Sequence, residues 1–443
     1  MKKLLLIVLL VCSTLGAQLL GQTYSLEECV SIALANNTQV TNSNLDVSAT
    51  GYKIREVKSA LLPTIEATGQ SIYYKDLPAQ YVNASAFGGP EGAYNKMTLN
   101  MKQNTSATLQ ASQNLFNQSV MVGLKAAKVA REAAEAAGDY TKENIVFQVS
   151  ATYYSIQVLQ DNLKRLDNNI ANLEKTVEIN QVLKDNELVS DNTHNRMLIN
   201  LDNLRNQREV QKLQVEESIT TLKLLLNYEI DMPIEVEPFN YSEVISMPAS
   251  FELNQRPDIK LQQTQLTLAQ YDKKVIKAGY FPVLVNTWSL GYNGFNTEFG
   301  PFQPINDDWI RNSYVAMTLK IPVFDGLKKN NQIRQKEIEI QKNLNTLSSM
   351  KLNANKEVED AKTNFESNTR LLESSRHSLE LAEALFISAQ TEYTSGLTSS
   401  TELLNAQNDL SNARNNYSAA LLNLKLAELE LKKASGTLLS STK

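Results

Sequence analysis

NTQVTNSNLDVSATGYKIREVKSALLP, residues 37–63, lies without a gap over RPDIKLQQTQLTLAQYDKKVIKAGYFP, residues 256–282. Tyr52 meets Tyr271 and Pro63 meets Pro282. Further along, Leu115-Phe116-Asn117 meets Val323-Phe324-Asp325, and Glu187-Leu188 meets Gly396-Leu397. The first copy carries about ten extra residues between its proline and its phenylalanine, and after that the copies run in register. A tandem repeat of roughly 200 residues, mostly helical with one β excursion per copy, strongly constrains the architecture.

Each copy reads as the same series of elements. A first helix is expected from Ser25 to Leu62, with Ser25 and Glu28 forming a capping box and Pro63 ending the helix. Strands are expected at 64–74 and 104–116 in the first copy and at 283–295 and 310–323 in the second. Leu284, Trp288, Leu290 and Tyr292 share one parity, while Thr287, Ser289 and Gly291 share the other. Val315, Met317, Leu319 and Ile321 alternate in the same way with Tyr314, Ala316, Thr318 and Lys320. Strands of this length and alternation fit a transmembrane barrel, and a half-buried hairpin of a soluble sheet shows the same alternation. Four strands cannot close a barrel, and lipid tolerates no open sheet edge, so a membrane-spanning reading requires several chains. The segments 76–103 and 297–309 read as polar or Gly/Pro-rich loops.

Long helices follow each strand pair. Ile156, Leu159, Leu163, Leu166, Ile170, Leu173 and Val177 keep spacings of three and four, a heptad seam. Residues 326–393 repeat the helical habit, and a helix of that length is a rod of about 100 Å. Short breaks at Asp185-Asn186-Glu187 and Thr394-Ser395-Gly396 precede a helix that folds back. In the last helix Leu403, Leu410, Tyr417, Leu424 and Leu431 recur every seventh residue, as do Ala406, Ala413, Ala420, Ala427 and Ala434. A large/small seam of period seven implies closely packed helices in a left-handed supercoil.

Composition narrows the function. A net charge of −5 argues against nucleic acid as a partner. The start, MKKLLLIVLLVCSTLGAQLLGQ, has the charged and apolar regions of a secretory signal, with cleavage between Gly16 and Gln22. Cys12 follows bulky Val11 early in the apolar stretch, a poor setting for lipidation, and Cys29 reads as a small buried hydrophobe. Beyond the leader no window offers the ~18 apolar residues of a membrane helix. Two histidines, His194 and His377, lie far apart, and no zinc, nucleophile-elbow, phosphate-loop or dinucleotide motif is present. Acidic residues scattered over helix surfaces read as solvated faces. No enzyme activity, cofactor or metal is expected.

In this setting IPVFDGLKKNNQIRQKE (321–337), YTSGLTSSTELLNAQNDL (393–410), LEECVSIALANN (26–37) and RPDI (256–259) resemble the TolC-like outer-membrane efflux protein family in order and spacing. The resemblance covers essentially all of the chain after its leader. It implies a mainly α fold with membrane β: tandem-duplicated coiled-coil rods and four strands per chain. Three chains would form a 12-stranded outer-membrane β-barrel and a 12-helix periplasmic tunnel. The domain organisation that follows is signal peptide 1–22, first repeat 23–227, connector 228–255, second repeat 256–436 and tail 437–443. The implied function is the exit duct of a tripartite efflux system, passively conducting cargo from a periplasmic adaptor (membrane fusion protein) and an inner-membrane pump. A duct for type I protein secretion fits the same residues, and a soluble periplasmic coiled-coil scaffold shares the heptads alone.

The resemblance also assigns site residues. The tips Glu187, Leu188, Val189, Ser190 and Ser395, Gly396, Leu397, Thr398 would dock the adaptor. Family carboxylates that ring the periplasmic entrance fall at Glu402 and Asn405, so only the first is acidic here. A family tyrosine that helps close the entrance falls at Tyr393. Its usual carboxylate partner falls at Thr193, with Asp191 nearby but out of phase.

Overall fold

The computed structural model describes residues 23–98, 100–187, 189–239, 253–298, 300 and 309–440. The expected signal sequence 1–22, much of the expected connector 228–255, Leu188 of the first expected tip, most of the segment 297–309 and residues 441–443 lie outside the described residues. The chain divides into two compact units: Met1–Ser48 with Glu132–Gln265 and Asn343–Lys443, and Ala49–Arg131 with Leu266–Lys342.

In chain order, β1 (Thr23–Tyr24) leads into α1 (Leu26–Asn36) and α2 (Thr38–Ser59). Then come β2 (Thr64–Tyr73), β3 (Gln80–Asn83), β4 (Tyr94–Met97) and β5 (Gln103–Asn117). The helices α3 (Gln118–Asp185) and α4 (Asp191–Leu226) follow, and the short β6 (Glu235–Val236) lies in the segment 228–255. The second copy has α5 (Pro257–Ala278), β7 (Val283–Asn296), β8 (Ile310–Lys320), α6 (Lys328–Thr394) and α7 (Ser400–Ala434).

The first unit is built on helices. Ser25 accepts from the Glu28 amide at 3.2 Å and Glu28 Oε2 accepts from the Ser25 amide at 2.9 Å, a complete capping box at α1. The single first helix expected from Ser25 to Leu62 is broken at Asn37. Asn37 takes an extended ψ of 131°, its Oδ1 accepts from the Gln39 amide at 2.9 Å, and its Nδ2 donates to Leu225 O at 2.8 Å. A side chain that offers the backbone alternative partners ends a helix locally. Around this break Cys29, Val30, Ala33 and Val40 pack with Ile145, Val149, Tyr153, Leu222 and Leu226. After α4, Ile234 and Val236 join this core, and β6 pairs in parallel with β1. Farther along, Leu166, Ile170 and Leu173 meet Leu201 and Leu204. On α7, Leu403, Leu410, Leu424 and Leu431 are buried with Ala406, Ala413, Ala420, Ala427 and Ala434 between them. This is the large/small seam that the period of seven predicts. Each leucine so buried stabilises the packing by about 2 kcal/mol.

The second unit carries an antiparallel sheet in the order β2-β5-β7-β8, with β2 and β8 at its ends. Register fixes its two faces, because successive side chains alternate sides. Ile65, Ala111, Trp288 and Val315 form one row, and Ala67, Leu109 and Leu290 begin the next row on that face. The opposite face carries Glu66, Gln110, Ser289 and Tyr314, then Thr68, Thr108, Gly291 and Asn312. A bulge between Asn114 and Phe116 keeps Phe116 on the Leu284 row. At Gly291 a Cβ would strike the Asn312 amide, so the absence of a side chain lets the strands approach. β8 stops at Lys320, short of the expected 323: Pro322 has no N–H to give the ladder. The loop expected at 76–103 contains structure of its own, the β3–β4 hairpin closed by a 3-10 turn at Ala84–Phe87.

Among the described residues no helix is long and apolar enough to cross a membrane.

Candidate functional site at the helical tips

The two helix-to-helix turns are chemically related but not equal. α6 ends in a Schellman motif: Leu397 N donates to Glu392 O at 2.8 Å and Gly396 N to Tyr393 O at 3.0 Å. This geometry needs a left-handed residue, and Gly396 supplies it at φ 75°. The turn leaves Leu397 79% exposed on a polar loop. In the first copy Glu187 takes the glycine's place at φ 62°, with its amide bonded to Lys184 O at 2.8 Å. A residue with a Cβ pays roughly 1 kcal/mol for that conformation. Ser190 and Ser399 then cap α4 and α7, their hydroxyls accepting from the Thr193 and Glu402 amides at 3.3 Å each. Ser395 and Ser190 are exposed, whereas Val189 and Thr398 are half-buried.

Glu402 stands exposed in the first turn of α7, and Asn405 is exposed one turn on. Tyr393 is buried among Met197, Ala389, Leu403 and Ala406. Its hydroxyl accepts from Asn180 Nδ2, and Asn180 Oδ1 lies 3.2 Å from His194 Nδ1. Asn180, His194 and Tyr393 are all buried, so three helices share one polar connection inside an apolar cluster. Buried polar groups require such partners. The residues expected to meet Tyr393 are engaged elsewhere. Thr193 Oγ1 is 3.1 Å from Ser190 Oγ in the α4 cap. Asp191 is exposed and pairs with Lys184 at 2.8 Å, which holds its carboxyl below the usual range. The tyrosine's hydrogen-bond partner thus comes from α3, and His194, three residues past Asp191, joins through Asn180. The usable signal was Asn180 and His194 flanking the tip on consecutive helices, two polar side chains on apolar faces.

The family profile described as "Outer membrane efflux protein" matches residues 29–184 and 250–437. The chain belongs to the outer membrane efflux protein family. It is 22% identical over 348 residues to outer membrane protein TolC of Escherichia coli (strain K12), a match spanning 76% of this chain but only 66% of that relative's length. Among solved structures, the Campylobacter jejuni CmeC outer membrane channel superposes with a TM-score of 0.75 at 17% identity, covering 93% of this chain and 85% of that one. VceC, an outer membrane protein of Vibrio cholerae, gives 0.73 at 16% identity, covering 93% and 96%. Family membership places this chain among the outer membrane efflux proteins.

Proposed function

We propose that the chain is one protomer of a trimeric exit duct, passively conducting cargo handed over by a periplasmic adaptor and an inner-membrane pump. One observation carries the reading: a four-stranded sheet with an apolar face, a polar face and two unclosed ends. In lipid the apolar face turns outward, the polar face lines the lumen, and β2 of one copy must pair with β8 of the next. Three copies give a twelve-stranded barrel, and their α3, α4, α6 and α7 make the periplasmic tunnel. In this reading residues 1–22 are the export signal, 23–227 and 256–436 the two repeats, 228–255 the connector and 437–443 the tail.

The two tips, where Glu187, Gly396 and Leu397 are exposed, dock the adaptor. Three copies of Glu402 ring the entrance with about three charges, and the neutral Asn405 adds none. The Tyr393–Asn180–His194 connection holds each protomer's gate helices together, in place of a tie to Asp191 or Thr193. The experiment is native mass spectrometry of protein extracted gently from membranes: a trimer supports the reading, and a monodisperse monomer refutes it.

A further inference from the structure

A furrow runs along the apolar face of the β2-β5-β7-β8 sheet. It consists of two hollows of about 460 and 330 Å³ that share Leu109 and Leu290. Ile65 and Trp288 line the first, and Gly69, Ala107 and Tyr292 line the second. Strand register puts all of these residues on one side of the sheet. The floor is made of small residues, and at Gly69 a Cβ would meet nothing within 4 Å. From Trp288 to Tyr292 the furrow extends about 14 Å along the strand, a length that suits an acyl chain.

Among the described residues of β2, β5, β7 and β8 on this face, Arg311 alone is ionised. It lies directly across from Tyr292, in the row Gly69-Ala107-Tyr292-Arg311, so it stands at the end of the furrow. It is exposed, and no carboxylate pairs with its guanidinium among the described residues. A guanidinium on a lipid-facing surface is costly unless it reaches the interface or meets an anion. Leu284 pairs with Leu319 near the strand ends that join α5 and α6. Tyr292 lies about 27 Å farther along the strand. At the tilt of a membrane strand that is about 20 Å of height, close to the far rim of an apolar band about 25 Å tall. In a trimer β2 of the next copy adjoins β8. Its positions on this face are Ile65, Ala67, Gly69, Ser71 and Tyr73, and none brings a carboxylate to Arg311.

We infer that this face holds the lipid A part of lipopolysaccharide, with one acyl chain in the furrow and a phosphate on Arg311. The inference rests on the duct reading, which sets the sheet end away from the helices in the outer leaflet. Lipid A is a phosphorylated sugar carrying several acyl chains. Its phosphate accepts the paired N–H bonds that a guanidinium offers in a fixed fork. Ser313 and Tyr292, on the same face, present hydroxyls to the sugar. A phospholipid supplies the phosphate and the chains but no sugar.

The test is native mass spectrometry of the full chain, extracted gently from outer membranes, stripped of lipid by detergent exchange and titrated with lipid A. The trimer is expected to take up lipid A saturably, one molecule per chain. Fully dephosphorylated lipid A and phosphatidylglycerol should each bind at least about tenfold more weakly. Arg311→Gln should weaken uptake at least about tenfold and Arg311→Lys less, while Gly69→Leu, which fills the furrow, should also cost about tenfold. Should a variant fail to fold, the three lipids compared on the parent decide alone. Absence of saturable uptake by the trimer overturns the inference and leaves the duct reading standing. So does equal uptake by the parent and Arg311→Gln or Gly69→Leu, or phosphatidylglycerol binding as tightly as lipid A. A monodisperse monomer before lipid is stripped overturns both.

Discussion

Replacing Glu143 by Gln should make the protein more stable at pH 8 and leave it unchanged at pH 4. The carboxyl is raised from its ordinary 4.5 to about 7, first by burial, with Lys433 pulling the other way and Asp258 adding to the rise. Below 4.5 both folded and unfolded chains hold the proton, and no cost arises. Between 4.5 and 7 the folded chain keeps a proton that the unfolded chain releases, so stability falls as pH rises. Above 7 the cost has saturated at about 3 kcal/mol, taking 1.36 kcal/mol per pH unit. Glutamine keeps the shape and removes the charge, and so removes the cost. At about 2 cal/mol/K of unfolding entropy per residue, a chain of this length converts that energy into roughly 3 °C. The assay is thermal unfolding followed by helical circular dichroism, parent against variant, from pH 4 to 9. Other carboxylates titrate alike in both proteins, so the difference in Tm isolates Glu143. A gap of equal size at every pH, or a parent that is the more stable at pH 8, would refute the reasoning.

Three further outcomes follow from the tips and the entrance. Gly396→Trp, which forces a Cβ into a left-handed turn, and Leu397→Asp should each abolish pump-dependent resistance while trimer yield stays normal; unchanged resistance removes the docking role. Glu402→Gln should lower cation selectivity and weaken block by trivalent cations added from the periplasmic side in bilayer recordings. Identical selectivity and block would leave Glu402 as an acid favoured only by the α7 dipole. Asn180→Leu and Tyr393→Phe should each raise resting conductance, and the double variant should add little, since both cut one connection; additive effects would separate the two residues.

The long-range plan was legible because it rests on periodicity. Alternation in 283–292 and 310–321 located the sheet faces, and leucines and alanines every seventh residue located the α7 seam. Gly396 announced its turn because few residues other than glycine accept that φ. The features that escaped depend on partners distant in sequence. Asn37 breaks the first helix by reaching Leu225, 188 positions away. Tyr393 is tied to Asn180, 213 positions away, and no spacing rule within one copy connects them. Glu143 looked like one more solvated acid, because nothing local reveals that α5, α6 and α7 close over it. The β3–β4 hairpin lies in the stretch richest in glycine and polar residues, where pairing of only four residues per strand leaves little periodic signal.

The central claim is that sheet edges of different copies join into a closed barrel. Single cysteines at Glu66, Thr68 or Gln70 on β2, combined with single cysteines at Tyr314, Ala316 or Thr318 on β8, test it directly by disulfide formation in intact outer membranes. All six positions lie on the polar face, and the native Cys29 is buried. The account predicts crosslinking for the pairs in register, with denaturing gels showing dimer and trimer and nothing larger. Only monomer for every pair, or a ladder extending past trimer, would contradict it.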